Sequence, residues 1–385
     1  MFRLLSLLLV LAVLVAPASA SAAGLSRDNA AKVERLARSL GSRSAFVVTD
    51  TKGRTLAAVR PGTRRTMGSV TKLFTTSAAL LDLKTPPRTA VELHGTLGLD
   101  GLLTGDIVLR GGGDAGLDDV GLTRLRDAVV TAGVRRISGR VIGDGSLFDG
   151  AIGGPATGGA FDQEFDGAVG ALSWEHGRAT PGGPYQLDPA AAAAARFDDL
   201  LEAAGVVLPN SAGSGATPAI PPLAAVDGDL AALLRAANTD SSAVTAETLG
   251  KLISARRGRP GTTVEAANAI EAVLAARLKV RPVLADSAGF VAGSQASPRD
   301  VARLLRQMDR RPSFRASLAR GGTGTLRDRA VPSTCRAKTG TLRSAKVTAL
   351  AGICRGRVFA ILTTGASTDR ARRVQDEIAS VLARR

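Results

Sequence analysis

The amino-acid sequence predicts an α/β fold of the α+β kind, an antiparallel sheet flanked by helices, with a smaller mixed α/β unit inserted into it. Three observations carry that expectation. Strand patterns over residues 333–342, 346–354 and 357–364 follow one another at hairpin spacing. Stretches with helical apolar periodicity precede and follow them. Charge is also segregated: residues 86–222 hold 9 arginines, no lysine and 17 acidic side chains, a net charge of −8. The rest of the chain then carries +24 of the overall +16, which marks the acidic stretch as a unit of its own. A length of 385 residues is more than one small core requires.

The elements follow in order. Met1-Phe2-Arg3 is a short positive start, Leu4 to Val15 is apolar apart from Ser6, and Pro17-Ala18-Ser19-Ala20 has the small residues of a cleavage site. Residues 1–20 therefore read as a secretory signal peptide, with the mature chain beginning near Ser21. The apolar run, about twelve residues, falls short of a bilayer span. No later stretch reads as a transmembrane anchor, so export to the periplasm, cell wall or extracellular space is expected. A helix over 26–40 opens the mature region, with Ser26 as its N-cap. Strands over 44–50 and 54–60 are joined by Thr51-Lys52-Gly53, a hairpin signal. Gly68-Ser69 opens an apolar helix that runs to about residue 83, and Pro86-Pro87 breaks the chain.

The stretch 86–222 is rich in Gly and Asp, and Pro218, Pro221 and Pro222 close it. Within it, residues 135–144 read as a strand and 190–204 as a helix. Helices are expected over 228–237, 241–253, 264–278 and 298–308, then the three strands. A basic amphipathic helix, 368–385, ends the chain, and its single apolar stripe suits packing on the sheet beside the first helix. The expected division is a main domain of residues 24–85 and 223–385, with 86–222 inserted.

Composition narrows the function. Lys+Arg number 50 against 34 Asp+Glu, and eight of the basic residues are lysine. Basic chains favour anionic partners. Aromatic content is 3%, with one Trp and one Tyr, which leaves few platforms for stacked bases, so nucleic acid is not expected. An anionic cell wall fits the charge as well. Two cysteines and the distant His94 and His176 make no ligand cluster, so neither a metal nor a cofactor is expected. In an oxidising compartment Cys335 and Cys354 are expected to pair. A turn at 343–346 sets them directly opposite on adjacent antiparallel strands, at a spacing that suits a disulfide.

Ser69-Val70-Thr71-Lys72 places a hydroxyl and an amine three residues apart, on one face of a helix. A serine needs a base to become a nucleophile, and a lysine serves when burial or nearby positive charge lowers its pKa. Lys338-Thr339-Gly340-Thr341 lies on a strand between Cys335 and the hairpin turn. It offers a cation for a carboxylate, and a glycine where a peptide can dock close to a strand edge. Two of eight lysines fall in these two motifs.

On these residues the sequence resembles the class C low-molecular-mass penicillin-binding proteins, which are serine-type D-alanyl-D-alanine carboxypeptidases and endopeptidases. Gly105-Asp106-Ile107-Val108-Leu109 with Gly111–Asp114, Gly139-Arg140-Val141-Ile142-Gly143-Asp144, Ala171-Leu172-Ser173 and Gly324-Thr325-Leu326-Arg327-Asp328-Arg329 extend the resemblance over nearly the whole mature chain. It implies a β-lactamase/transpeptidase-like fold, with residues 86–222 as the family's insertion between its first two motifs. It implies peptidoglycan stem peptides as substrates, β-lactam antibiotics as covalent inhibitors, and no cofactor. Ser69 would attack the penultimate D-Ala carbonyl, with Lys72 as proton acceptor. Lys338 and Thr339 would bind the terminal carboxylate, and the N–H groups of Ser69 and Thr341 would form the oxyanion hole. A β-lactamase would need a fast deacylating water, and no Glu-bearing loop of that kind is recognisable.

The central motif departs from the pattern. Asn238-Thr239-Asp240-Ser241-Ser242-Ala243, followed by Ala246-Glu247, aligns with the family's Asn-x-x-Ser-x-Asn-x-x-Ala-Glu. Ser241 matches the motif serine, whereas the motif asparagine is Ala243. Asp286-Ser287-Ala288-Gly289 likewise stands where the pattern runs Asp-Gly-Ser-Gly. Two outcomes stay open: a neighbour such as Asn238 compensates, or the chain is a catalytically weakened homologue that binds peptidoglycan peptides without efficient turnover.

Overall fold

The computed structural model describes residues 24–384, so the segment 1–20, expected to be a signal peptide, lies outside the described residues. Helix α1 (Arg27–Ser39) starts where the Ser26 hydroxyl accepts the Asn29 N–H, and Val33 and Ala37 form its buried stripe. Strands β1 (Ala45–Thr49) and β2 (Thr55–Val59) form the first hairpin, followed by the short β3 (Arg65–Thr66). A 3-10 turn, Gly68–Thr71, runs directly into α2 (Lys72–Asp82), a helix buried along most of its length.

The chain then builds a second body. It comprises β4 (Arg88–Leu97), β5 (Leu102–Gly112), α3 (Asp119–Thr131), β6 (Arg136–Ile137), β7 (Val141–Asp144), α4 (Pro189–Ala203), β8 (Gly213–Ser214) and β9 (Ala224–Asp227). These strands form a sheet in the order β8-β7-β5-β4-β9, with β6 also against β5. Its β4 pairs are antiparallel while β6, β7 and β8 join in parallel, so the sheet is mixed. Trp174, Phe197, Leu103 and Ile107 lie in its core. Its last strand, β9, falls beyond residue 222. The single strand expected over 135–144 is two short ones, because Ser138 and Gly139 turn their N–H groups to the carbonyls of Leu103 and Gly105.

The chain returns through α5 (Leu230–Arg235), a π-helical turn Ala236–Asp240, α6 (Ala243–Arg256), α7 (Thr263–Leu278), β10 (Gln295–Ala296), α8 (Pro298–Met308), α9 (Pro312–Ser317) and β11 (Ala319–Arg320). It ends with β12 (Cys335–Leu342), β13 (Val347–Cys354), β14 (Arg357–Thr364) and α10 (Thr368–Leu382). The main sheet has the order β11-β12-β13-β14-β1-β2, antiparallel throughout. Every residue of β13 is buried, because helices cover both faces of the sheet; such a strand reads as a continuous apolar run.

On one face Leu73, Phe74, Ile270 and Leu305 of the inner helices pack on Val47, Ala349 and Ala360. On the other, Val33 of α1 and Ile378 of α10 pack on Phe46, Leu350 and Phe359, so the terminal helices lie together as expected. The Lys32–Glu377 ion pair, 2.9 Å, joins them. Cys335 stands opposite Cys354 and is bonded to it, with Cα atoms 4.2 Å apart. The observed architecture is the α+β sheet flanked by helices that the sequence predicts. No helix among the described residues is long and apolar enough to cross a membrane.

Candidate active site

Met67, Val70, Leu73 and Phe74 are fully buried, which pins the 3-10 turn and the start of α2 into the main core. Ser69 stays half-buried at the edge while Lys72, one turn on, is 0% exposed. The Lys72 amine lies 3.0 Å from Ser69 Oγ and donates to the Ala288 carbonyl at 2.7 Å. Burial pushes its pKa down to about 8, although Asp286, Asp166 and Glu247 each pull it upward. A pKa lowered toward the working range is what a lysine base requires, since the neutral amine is then within reach at mildly alkaline pH.

Strand β12 passes close to this turn because two glycines leave room. A Cβ on Gly340 would overlap the Met67 carbonyl oxygen and lie 3.1 Å from the Val70 nitrogen. A Cβ on Gly68 would lie 3.0 Å from the Thr341 nitrogen. The Thr341 backbone is therefore held beside the residue preceding Ser69. Lys338 is fully buried; its amine donates to the Thr339 carbonyl at 3.2 Å. Burial and the neighbouring Lys72 hold its pKa well below the usual lysine range, against the pull of Asp240. Ser69, Ser241, Thr339 and Thr341 line one cavity of about 390 Å³, rimmed by Arg327, Arg329 and Arg372. Thus four of the expected site residues share that cavity, while Lys72, Lys338 and Gly340 stand behind its wall.

Ser241 ends the π-helical turn with φ 69°, a left-handed conformation that costs a non-glycine residue free energy. Ser242 then caps α6, its hydroxyl accepting the Thr245 N–H at 3.1 Å. Ala243 is 2% exposed and packs with Phe165, Val244, Ala246 and Ala288, with Phe290 beside them. The Phe290 ring lies 4.6 Å from that of Phe165 and 5.3 Å from the Lys72 amine. Where the family pattern has an amide, this chain has apolar packing. Asn238 does not take its place: its amide donates to Thr76 Oγ1 and Ser317 Oγ, at 3.1 and 2.8 Å.

Three carboxylates lie near Lys72; Glu247 and Asp286 stand in the aligned segments of the sequence, where neither was given a role, and Asp166 stands in none. Glu247 Oε1 accepts the N–H groups of Ser287 and Ala288, both at 2.8 Å, which aims the Ala288 carbonyl at Lys72. Asp286 accepts from the Ser294 hydroxyl and the Phe290 N–H, both at 2.6 Å, and so closes the same loop. Burial pushes Glu247 up to about 8, with Asp286 adding to the rise and the two N–H groups and Lys251 opposing it. Asp286 is raised by burial too. At Gly289, φ is +85° and a Cβ would overlap the Gly68 carbonyl oxygen. Ala288 holds the lysine through its backbone carbonyl, which its side chain leaves unchanged, whereas the Ser287 hydroxyl is buried without a hydrogen-bond partner. The third carboxylate, Asp166, comes from the second body. Glu247 was visible as the glutamate of the family pattern; no sequence signal marks Asp166.

The sequence model of the D-Ala-D-Ala carboxypeptidase 3 (S13) family matches residues 28–163 and 174–385. Among solved structures, penicillin binding protein 4 (dacB) from Haemophilus influenzae is similar over 92% of this chain and 99% of its own, with a TM-score of 0.75 and 18% identity. The same protein complexed with a novel β-lactam is similar over 90% and 97%, with a TM-score of 0.69 and 20% identity. A predatory peptidoglycan endopeptidase from Bdellovibrio bacteriovorus, Bd3459, is similar over 87% and 90%, with a TM-score of 0.52 and 14% identity. At such identities the likeness is one of fold. No curated protein matches the chain.

Proposed function

The chain belongs to the D-Ala-D-Ala carboxypeptidase 3 (S13) family, and from that premise we propose that it is an exported serine peptidase acting on peptidoglycan stem peptides through an acyl-enzyme on Ser69. The observation that carries the proposal is the buried Lys72 amine 3.0 Å from Ser69 Oγ, at the edge of the cavity that Thr339 and Thr341 share.

Neutral Lys72 takes the Ser69 proton as Oγ attacks the penultimate D-Ala carbonyl. The N–H groups of Ser69 and Thr341 bind the oxyanion, each worth ~3 kcal/mol in comparable sites. Thr339, which lines the cavity, receives the substrate's terminal carboxylate, and Lys338 supports it from behind the cavity wall through the Thr339 carbonyl. The proton returns from Lys72, by way of the Ser241 hydroxyl, to the leaving amine of D-Ala. Water then adds to the ester and gives its proton to Lys72, which passes it to Ser69 Oγ as the acyl–oxygen bond breaks, freeing the shortened peptide and restoring the serine. A β-lactam entering the same site stays on Ser69 as a stable ester. Residues 1–20 direct export, and the 86–222 unit, with β9 completing its sheet, is an inserted domain.

Release of D-Ala from a peptide ending in D-Ala-D-Ala tests this reading. The mature chain is expected to release it continuously and S69A to release none; equal release by S69A would overturn it. Ala243 favours a second reading, in which acylation proceeds but turnover is slow. On that reading the first equivalent of D-Ala appears as a burst, and A243N raises the later rate by about tenfold or more, the worth of a hydrogen bond to a charged group. An A243N rate within about twofold of the original speaks for the first reading.

A further inference from the structure

Helix α6 carries an anion at its first turn that its own sequence does not supply. Asp166 lies between β7 and α4, in the 86–222 unit. Its Oδ1 accepts the Ala243 N–H at 2.7 Å and the Val244 N–H at 3.2 Å. Burial pushes this carboxyl up, but the Ser242 hydroxyl, His176 and the two N–H groups outweigh it and hold it below the usual carboxylate range. His176 Nδ1 lies 3.0 Å from the Asp166 carbonyl oxygen and 3.6 Å from Oδ2. The adjacent Phe165 packs on Phe290, the ring that lies over the Lys72 amine. One short segment of the second body therefore reaches both the Ser241 turn and the wall of the lysine pocket.

We propose that Asp166 is a positioning residue for this site: a carboxylate from the 86–222 unit that fixes the Ser241-Ser242-Ala243 turn by gripping its backbone, at the residue where the family pattern has a side-chain amide. The inference rests on the reading of Ser69 as the nucleophile. Its physical basis is direct. Ser241 is held left-handed, and such a turn persists only where its surroundings over-determine it. N–H groups at a helix start bind a carboxylate more strongly than a neutral acceptor. Asp166 also adds to the charge around Lys72, which faces Asp286, Glu247 and Asp166 on the negative side and Lys338 on the positive. Removing the Asp166 charge lets the lysine lose its proton more easily, and removing the side chain frees the turn. A simple helix cap would affect stability alone.

The test is the rate of penicillin acylation as a function of pH for the mature chain, D166A and D166N, each with and without A243N, with melting temperatures alongside. D166N keeps the shape and an acceptor oxygen, so it reports on charge in a folded protein. D166A is expected to lower the plateau rate about tenfold. D166N is expected to move the acid limb down by about half a pH unit. A243N should bring D166A back to within about threefold of the original, because either group then serves the turn. Unchanged rates and limbs in D166A and D166N, or a D166A loss that A243N leaves untouched, would overturn the proposal. Absence of any Ser69 adduct in the unsubstituted chain is a different result: it overturns the nucleophile reading, and this inference with it.

Discussion

The Lys72 amine and the Ser69 hydroxyl stand 3.0 Å apart, with the lysine wholly enclosed and its second contact the Ala288 carbonyl at 2.7 Å. This pair of partners suits a neutral amine, whose lone pair meets the serine O–H while one hydrogen is donated to the carbonyl. The arrangement is assembled from two segments 216 residues apart, and its consequences are measurable.

Acylation should follow the deprotonation of Lys72. Its pKa is pushed down to about 8, so below that the amine is protonated and cannot accept the serine proton. The rate of β-lactam acylation is expected to climb about tenfold per pH unit on the acid side and to level off above the limb. K72R, whose guanidinium keeps its proton, should lose about a thousandfold. A rate that is flat from acid to alkaline pH would contradict the role of Lys72.

Gly340 should tolerate no side chain. In G340A the new Cβ would meet the Met67 carbonyl and the Val70 nitrogen, forcing β12 away from the serine turn. Overpacking of this kind costs about 1–3 kcal/mol of stability. The loss of acylation should be larger, about a hundredfold, because a small misplacement of the reacting groups has that effect on rate. Labelling and melting curves on the same sample check both.

Glu247 should make the fold less stable as pH rises. Its pKa is raised from 4.5 to about 8, so across that window the folded chain keeps a proton that the unfolded chain has lost. The stabilisation is complete below the lower value and is lost as pH climbs toward the upper one. E247Q retains an oxygen for the Ser287 and Ala288 N–H groups but cannot titrate. Its melting temperature should fall less steeply with pH than that of the original; the residual slope belongs to Asp286, which burial raises in the same direction. Parallel melting profiles would show that Glu247 does not titrate in the window.

The Cys335–Cys354 bond joins the strand bearing Lys338 and Thr339 to its neighbour across a sequence separation of 19. Closing a loop of that size restricts the unfolded chain by about 3 kcal/mol. The double variant C335S/C354S should lose about that much in denaturant unfolding while still taking label when folded at low temperature.

Much of this was legible in the sequence because the signals are local. Helix α8 runs from Pro298 to Met308 as its Ser297 cap and apolar period indicate, β13 and β14 announced themselves by apolar runs between turns, and hairpin spacing placed β12 before them. The cysteine register followed from the position of one turn. What stayed hidden depends on distance along the chain. Ala288 is 216 residues from the lysine it holds, Glu247 is 40 from the amide it orients, and Asp166 is 77 from the helix it grips. The expected helix over 228–237 is α5 followed by a π-helical turn, because the chain must swing Ser241 toward the cavity before α6 can begin.

The most direct test of the central claim is incubation of the mature chain, residues 21–385, with a fluorescent penicillin, followed by intact-mass measurement and peptide mapping. The expected result is one adduct per chain, located on Ser69 and absent from S69A. An adduct on another residue, or none from protein shown to be folded, would contradict the assignment of Ser69 and Lys72 as nucleophile and base.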